Sequence, residues 1–588
     1  MRFRSRTAAA GRVYAVTGTN TVSFAVVASG VTKAGLLGFA VRRYDLAAGT
    51  DEWMPGFKVF RTLVPNPLPG ERVSTYDQPV QSFTWDDFTC RPDSRYRYVF
   101  HPLKGTPGDL DRSAYPLTLT IRTEPLSGEQ HDVFFNRGVA SSQSYTNQYG
   151  NTPIQDLDPE RQKEALGWLS RDLDDALLRF VDQTQAGDTL LGCFYEFTFA
   201  PAAAALKNAI DRGVDVRLIV DGKQNGSATE PAYPREENLA TLTTAGITEA
   251  NYRLREARKS AIAHNKFMVH IPAGAVPTQV WTGSTNLTLG GIAGQTNVGH
   301  WVRDPGTALA FQGYWTLLAG DPGGRSDDAR SDVLAKNKAF RDAVEQLSPV
   351  PTDLHTVPPG VTPVFSPRRS TAVLDAYEVL LDTATREGCI TFAFGVGAGF
   401  KELLKDNTSQ NAIVFMLLES RDRPDPDHPT SFVRINASNN VYQAWGSYLE
   451  NPVYQWAKET NAGLLGLNHH VSYVHSKFLL VDPLGDDPVV VTGSANFSEA
   501  STIENDENMI VVRGDRRTAG IYSTEFNRIF NHYYFRSVTE ATAGEPQSVL
   551  DASLFLAEDD TWQQKYKPGL LRAKRLALYE SMSGFTRA

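Results

Sequence analysis

Between residues 12 and 123 the apolar positions fall in short runs, at 13–16, 22–28, 36–44, 96–100 and 117–122, each bounded by Gly, Pro, Asn or Asp. Alternating or clustered β-formers between turn residues predict strands, and a series of them predicts an all-β sandwich over residues 1–125. After residue 130 the pattern changes to helical periodicity alternating with continuous apolar runs, the signature of βαβ units and a mostly parallel sheet. Two such series can be laid over each other. The first reads helix 165–183, strand 189–195, helix 201–212, strand 214–221; the second reads helix 371–387, strand 389–394, helix 399–405, strand 412–418. The entry segments Val133-Phe134-Phe135-Asn136-Arg137 and Pro363-Val364-Phe365-Ser366-Pro367-Arg368 correspond as well. Between the series, the proline-rich run 347–362 cannot continue a helix or a central strand and is suited to crossing from one half to the other. The predicted fold is therefore α/β, with two pseudo-symmetric βαβ sheet halves, 126–346 and 363–588, forming one body preceded by the sandwich.

Two details refine that picture. The stretch Cys90-Arg91-Pro92-Asp93-Ser94-Arg95-Tyr96-Arg97-Tyr98-Val99 resembles the tyrosine-corner approach of fibronectin type III and immunoglobulin-like domains, which implies a bond between the Tyr96 hydroxyl and backbone. Polar insertions at 223–237 and 421–430 follow matching strands, where loops at the carboxyl ends of such sheets shape a substrate entrance.

Composition changes the picture little. The 588 residues are 41% hydrophobic and 21% charged, enough for large cores and unlike a disordered chain. A net charge of -9 gives no general attraction to nucleic acid or anionic membrane, so a polyanion would have to meet a local basic patch. Cys90, Cys193 and Cys389 lie far apart with no CxxC spacing, which suggests neither a disulfide framework nor a zinc ribbon and fits a reducing compartment. The start Met1-Arg2-Phe3-Arg4-Ser5-Arg6 leads into no apolar core of signal-peptide length, and no apolar stretch is long enough to span a bilayer. A cytoplasmic protein without a membrane span is expected.

The chemistry lies in a doubled cluster: His264-Asn265-Lys266 leading to Gly283-Ser284-Thr285-Asn286, and His475-Ser476-Lys477 leading to Gly493-Ser494-Ala495-Asn496. Each copy supplies an imidazole, an ammonium, a hydroxyl and a carboxamide. Two copies brought together would surround one tetrahedral phosphate with donors and two proton-trading groups. With Asp482 in the second copy and Ile271 at the same place in the first, the pattern HxK, Asp, GSxN resembles the phospholipase D superfamily from about residue 130 to the C-terminus. The resemblance implies two phospholipase D-like halves, and a structural bracing role for Asp482 that copy one can do without.

Eleven residues past each motif asparagine stand Asn297 and Glu507. In superfamily members a residue at this offset holds an active-site imidazole by its second nitrogen. A carboxylate there raises imidazole basicity, whereas an amide only orients the ring. The tyrosyl-DNA phosphodiesterase branch likewise pairs one amide with one Glu and uses the first histidine as nucleophile, which implies His264 as nucleophile and His475 as the acid and later base. Lys266 and Lys477 would supply fixed positive charge, Asn286 and Asn496 would donate to the nonbridging oxygens, and Ser284 and Ser494 would order these donors. The resemblance implies a covalent phosphohistidine with no metal and no cofactor.

Superfamily motifs identify the bond and not the molecule, so a phospholipase D-type activity on a phospholipid head group, a nuclease and an inactive phosphate-binding adaptor remain in view. Trp281, Trp301, Phe194, Tyr195 and Phe400 would line a lipid channel or sit in the core. The sandwich would serve a protein partner. His469 and His470 with His475 show no recognisable ligand spacing, so no metal is assigned. Basic residues from Lys565 to Arg575 read as a solvated helical face packed by Leu570, Leu571 and Leu576, and Cys193 and Cys389 as small buried residues of matching strands.

Overall fold

The computed structural model describes residues 1–56, 58–67, 73–138, 145, 148–150, 152–227, 232–405, 412–422, 440–446, 472–541 and 555–586. The N-terminal runs form two antiparallel sheets. One orders Arg2–Arg4, Gly11–Thr17, Val22–Ala28 and Thr84–Asp87; the other orders Asp109–Asp111, Arg95–Thr106, Gly38–Asp45 and Thr50–Trp53, with Leu117–Arg122 also paired to Arg95–Thr106. Alternation sets the packing: Tyr96, Tyr98 and Phe100 are buried with Phe24, Phe39 and Leu119 while Arg95 and Arg97 face outward. The Tyr96 hydroxyl accepts the Arg91 N–H at 3.0 Å, a side chain-to-backbone bond at the corner where one was expected.

Two seven-stranded sheets follow, with the same strand order. The first runs His131–Phe135, Val298–Val302, Gln279–Gly283, Lys266–Ile271, Thr189–Phe194, Asp215–Asp221, Tyr252–Arg255; the second runs Gly360–Ser366, Glu507–Arg513, Val489–Gly493, Phe478–Val481, Glu387–Phe392, Ile413–Leu418, Val441–Trp445. The expectation of a mostly parallel sheet needs correction, because only the last three strands of each are mutually parallel. The others pair antiparallel. The strands around each motif follow one another without a crossover helix of the length that a parallel pair demands. Pro363 is accommodated because its strand is at the sheet edge.

Side-chain alternation divides the burial. Phe267, Val269 and Cys193 join Phe478, Leu480 and Cys389 in one core between the sheets, together with Tyr314 of helix Pro305–Ala319 and Tyr522 of helix Arg516–Ala541. Met268 and Leu190 face the outer helices Leu173–Asp182 and Ala200–Asp211, and Leu479 and Ile390 face helix Ala372–Asp382. Cys90, Cys193 and Cys389 are buried and unpaired. The single helix expected over 165–183 is two, Pro159–Ser170 and Leu173–Asp182, broken at Arg171 with φ 58°. Its guanidinium there meets buried Glu525 at 2.6 Å.

The C-terminal residues leave the second sheet, so the expected half 363–588 does not pack as one unit. Phe555–Leu556 pairs with Val59–Phe60, and Trp562 enters the sandwich core with its indole N–H on the Leu36 carbonyl at 2.8 Å. Helix Leu571–Glu580 buries Leu578 and Tyr579, and Leu571 and Leu576 are partly covered, while Leu570 is exposed. This segment straps the sandwich to the α/β body. Among the described residues no helix is long and apolar enough to cross a membrane.

Candidate active site

His264 and His475 stand just before the first residues of two central strands, Lys266–Ile271 and Phe478–Val481, so the sheets fix where both motifs point. The middle residue of each HxK is engaged away from its own motif. Asn265 Oδ1 accepts from Asn508 Nδ2 at 2.8 Å, and the Ser476 hydroxyl lies 3.2 Å from that of Thr296, so each middle residue contacts the opposite copy. Lys266 Nζ donates to the His264 carbonyl at 2.7 Å and Lys477 Nζ to that of His475 at 2.6 Å, which holds each ammonium beside its own motif.

The copies are tied by crossed, corresponding bonds. Thr296 N–H donates to the Tyr473 carbonyl at 2.8 Å, and Asp506 N–H donates to the Ile262 carbonyl at 3.0 Å. One residue further on, each chain segment reaches a histidine of the other copy: Glu507 lies 2.9 Å from His264 Nδ1, and Asn297 Oδ1 lies 2.9 Å from His475 Nδ1. The motif serines hold these backing groups. Ser494 donates to Glu507 Oε2 at 2.6 Å and Ser284 to Asn297 Oδ1 at 2.9 Å, and Asn297 Nδ2 is in turn fixed on the Gly291 carbonyl at 2.8 Å. With Oδ1 facing the ring, Asn297 selects the Nδ1–H tautomer of His475 and leaves Nε2 for chemistry.

Burial governs the charges. It lowers both histidines well below the usual imidazole range, aided by the charges of Lys266 and Lys477. It brings Lys266 down to about 8 and also depresses Lys477, to which the Lys266 charge adds. Burial pushes Glu507 up to about 7 against the opposing pull of Lys266 and Ser494. In the free protein both rings therefore favour the neutral form, with the carboxylate behind His264 able to stabilise positive charge when it develops there.

Several residues that the motifs do not name complete the site. Asp221 ends its strand and Glu419 directly follows the matching one, and they do matching jobs: Asp221 Oδ2 accepts the N–H of Ala263 at 2.7 Å and Glu419 Oε2 that of Val474 at 2.6 Å, fixing the residue before each histidine. Their position at the ends of the two aligned apolar runs was the available signal. Glu196, buried, accepts from Asn286 Nδ2 and, at 2.5 Å, from the Tyr233 hydroxyl. Asn286 Oδ1 and Asn496 Oδ1 are buried with no partner among the described residues, the kind of polar atom that clusters at functional sites.

Asp482 lies at the far end of its strand, where its carboxylate accepts from the backbone of Thr385, Arg386 and Glu387. In copy one, Asp188, just before Thr189 that pairs with Ile271, accepts from Gln185 and Ala273 backbone and from His270. The absent motif carboxylate is thus replaced from across the ladder.

Of the aromatic residues considered for a lipid channel, Trp281, Phe194, Phe400 and Trp301 are core, because their strand or helix positions face the packed outer layers. Tyr195 alone stays beside the site, edge-on to His264 with ring centres 5.0 Å apart. Among the described residues no three His, Cys, Asp or Glu are grouped to hold a metal ion. His469 and His470 lie outside the described residues, as does loop 421–430 from residue 423 onward.

Residues 180–315 and 389–530 match a family model described as cardiolipin synthase, PLD-like domain, and each segment holds one copy of the motif. A search of curated proteins finds no match. Similar solved structures include phosphatidylserine synthase of Haemophilus influenzae Rd KW20, at 10% identity over 70% of this chain and 93% of that one, TM-score 0.43. They also include polyphosphate kinase from Porphyromonas gingivalis, at 12% identity over 59% of this chain, TM-score 0.37; the match spans 43% of that chain, under half its length. The Nuc protein of Salmonella typhimurium, described as a phospholipase D family member, is 24% identical over 24% of this chain and 84% of its own, TM-score 0.20.

Proposed function

We propose that this chain, which carries a PLD-like domain in two segments, is a phosphodiesterase that cleaves through a covalent phosphohistidine without a metal ion. The observation that carries this reading is the crossed support of the two imidazoles, a carboxylate from copy two behind His264 and an amide from copy one behind His475. In this reading the two segments are pseudo-symmetric halves.

The asymmetry suits two different tasks. A ring that attacks phosphorus through Nε2 gains positive charge, which Glu507 neutralises, so His264 is the nucleophile. A ring backed only by an amide forms a more acidic imidazolium, which suits His475 as the donor to the leaving alkoxide. Step one forms the His264 Nε2–P bond and breaks the bond from phosphorus to the leaving oxygen, which takes the Nε2 proton of a His475 imidazolium, the form that the anionic phosphate favours once it is bound. In step two His475 takes a proton from water or an alcohol, whose oxygen displaces His264. Lys266 and Lys477 offset the phosphate charge, and Asn286 and Asn496 donate to its nonbridging oxygens.

The family description makes a phospholipid the first substrate class to test, with head-group hydrolysis or transfer as the reaction. We read the N-terminal sandwich as fibronectin type III-like and as the surface for a protein partner, and the unpaired cysteines as fitting a cytoplasmic protein.

The test is incubation with chelator of wild type and His264→Ala against bis(p-nitrophenyl) phosphate, labelled phosphatidylcholine, and single-stranded and duplex DNA. At least one is expected to be cut by wild type only. Cleavage of DNA in place of lipid would move the substrate class to a nuclease's; cleavage of none would leave a phosphate-binding adaptor. Acid-labile, base-stable phosphate on His264 in His475→Ala supports the roles, and the same label on His475 in His264→Ala reverses them.

A further inference from the structure

One face of the N-terminal sandwich carries side chains that the phosphodiesterase chemistry does not use. In the sheet formed by Leu117–Arg122, Arg95–Thr106, Gly38–Asp45 and Thr50–Trp53, the alternation that buries Tyr96, Tyr98 and Phe100 turns Arg95, Arg97, Val99 and His101 to the opposite face. Register sets Tyr44 and Thr120 on either side of Arg97, and Arg42 and Thr118 on either side of Val99, with Trp53 beyond Arg42. The long side chains there form one continuous stack. Arg97 lies 4.3 Å from the Tyr44 ring centre, and Arg42 lies 5.0 Å from the same ring and 5.4 Å from that of Trp53. Trp53 and Tyr76 have ring centres 4.8 Å apart, and Arg112 closes the row 3.9 Å from Tyr76.

This stack is not core. Arg97 and Tyr76 are exposed, and Tyr44 and Trp53 are half-buried. Asp51, Asp77 and Asp93 pair with Arg42, Arg112 and Arg122, which leaves Arg95 and Arg97, both exposed, without a carboxylate among the described residues. In a protein of net charge -9 this face is the local basic patch that a polyanion needs. Charge alone would not require the rings. A ligand that suits guanidinium groups interleaved with aromatic rings is one that alternates negative charge with flat π-faces. A single nucleic-acid strand does so, whereas a duplex keeps its bases stacked inside. The cation–π contacts also hold the guanidinium groups in place before a ligand arrives, which lowers the ordering cost of binding.

We propose that this face of the sandwich is a docking platform for single-stranded nucleic acid. Bases stack on Trp53, Tyr76 and the outer plane of the Arg97 guanidinium, and phosphates meet Arg95 and Arg97. The inference is independent of the phosphodiesterase reading, and it leaves the other faces of the sandwich to a protein partner.

The test is fluorescence anisotropy with the full chain carrying His264→Ala, so that the proposed chemistry cannot consume the probe. The probes are labelled oligothymidylate of about 20 residues, an abasic strand of the same length and a duplex of the same length. Oligothymidylate should bind about 10-fold or more tighter than either of the others. Adding Trp53→Leu should weaken it by about 5- to 50-fold and leave the salt dependence unchanged, because a stacking contact is lost and no charge. Adding Arg97→Ala should weaken it and reduce the slope of log affinity against log salt by about 0.7, the share of one phosphate contact on a single strand. Arg97 is exposed, so its variant carries the test if Trp53→Leu does not fold. An abasic strand or a duplex bound as tightly as oligothymidylate, affinity unchanged in both variants, or no binding of oligothymidylate at low salt would each overturn the platform. None of these outcomes bears on the phosphodiesterase reading.

Discussion

Glu507→Gln is the sharpest probe of the site, because it keeps the shape of the group behind His264 and removes only its charge. The carboxylate lies 2.9 Å from His264 Nδ1 and is held by the Ser494 hydroxyl at 2.6 Å. In the proposed mechanism His264 bonds to phosphorus and its ring becomes cationic. Opposite unit charges about 4 Å apart interact by about 4 kcal/mol at an effective dielectric near 20. Only part of that charge has developed at the transition state and the amide still accepts the Nδ1–H, so about 3 kcal/mol should be lost, a fall of roughly 10²-fold in kcat. The assay is single-turnover release of p-nitrophenolate from bis(p-nitrophenyl) phosphate with chelator, alongside the yield of phosphohistidine. KM should change little, because Glu507 supports the ring rather than the bound phosphate. A Glu507→Gln enzyme with wild-type kcat and wild-type stability would refute the argument that this carboxylate stabilises charge on the nucleophile.

Three further outcomes follow from the geometry and the charges. Glu507 gains a proton below about 7 and Lys266 loses one above about 8, so kcat/KM should be bell-shaped with a narrow top between those values; a flat profile from pH 6 to 9 would contradict it. Asp482→Asn should lower stability by about 2–3 kcal/mol in urea unfolding, because its carboxylate accepts four hydrogen bonds from the 385–387 turn, while kcat stays within a few-fold; a large kcat loss in a stable variant would mean that it does more than brace. Burial alone would raise Glu525, but Arg171 and Arg528 overcome it and hold its pKa at about 2, below the ordinary 4.5. That depressed value stabilises the fold above pH 4.5, on the order of 3 kcal/mol, and the benefit fades as pH falls towards 2. The urea-midpoint gap between wild type and Glu525→Gln should therefore narrow below pH 4, and a constant gap would count against it.

What the sequence determined by itself was the inventory and its doubling. Period-two runs marked the sandwich strands because each strand there has one covered face, and continuous runs such as Phe478 to Val481 marked strands covered on both faces. The two HxK and GSxN clusters were legible because their residues are close in sequence, and the offset to Asn297 and Glu507 could be counted. Strand direction was not legible: apolar runs read alike in parallel and antiparallel ladders, so the antiparallel arrangement around the motifs appeared only with the pairing. Nor could sequence tell a buried Trp281 from a channel-lining one, since both are apolar residues on a strand. The tertiary structure alone decided which backing group serves which histidine. Glu507 reaches His264 and Asn297 reaches His475 because the segments cross between the sheets, pinned by Thr296 on Tyr473 and Asp506 on Ile262. The same crossing, with Asp188 standing in for the carboxylate missing at Ile271 and Glu196 arriving beside Asn286, depends on contacts between residues far apart in the chain. Local spacing carries information over a turn or a strand; partners brought together by sheet packing are specified only by the fold as a whole.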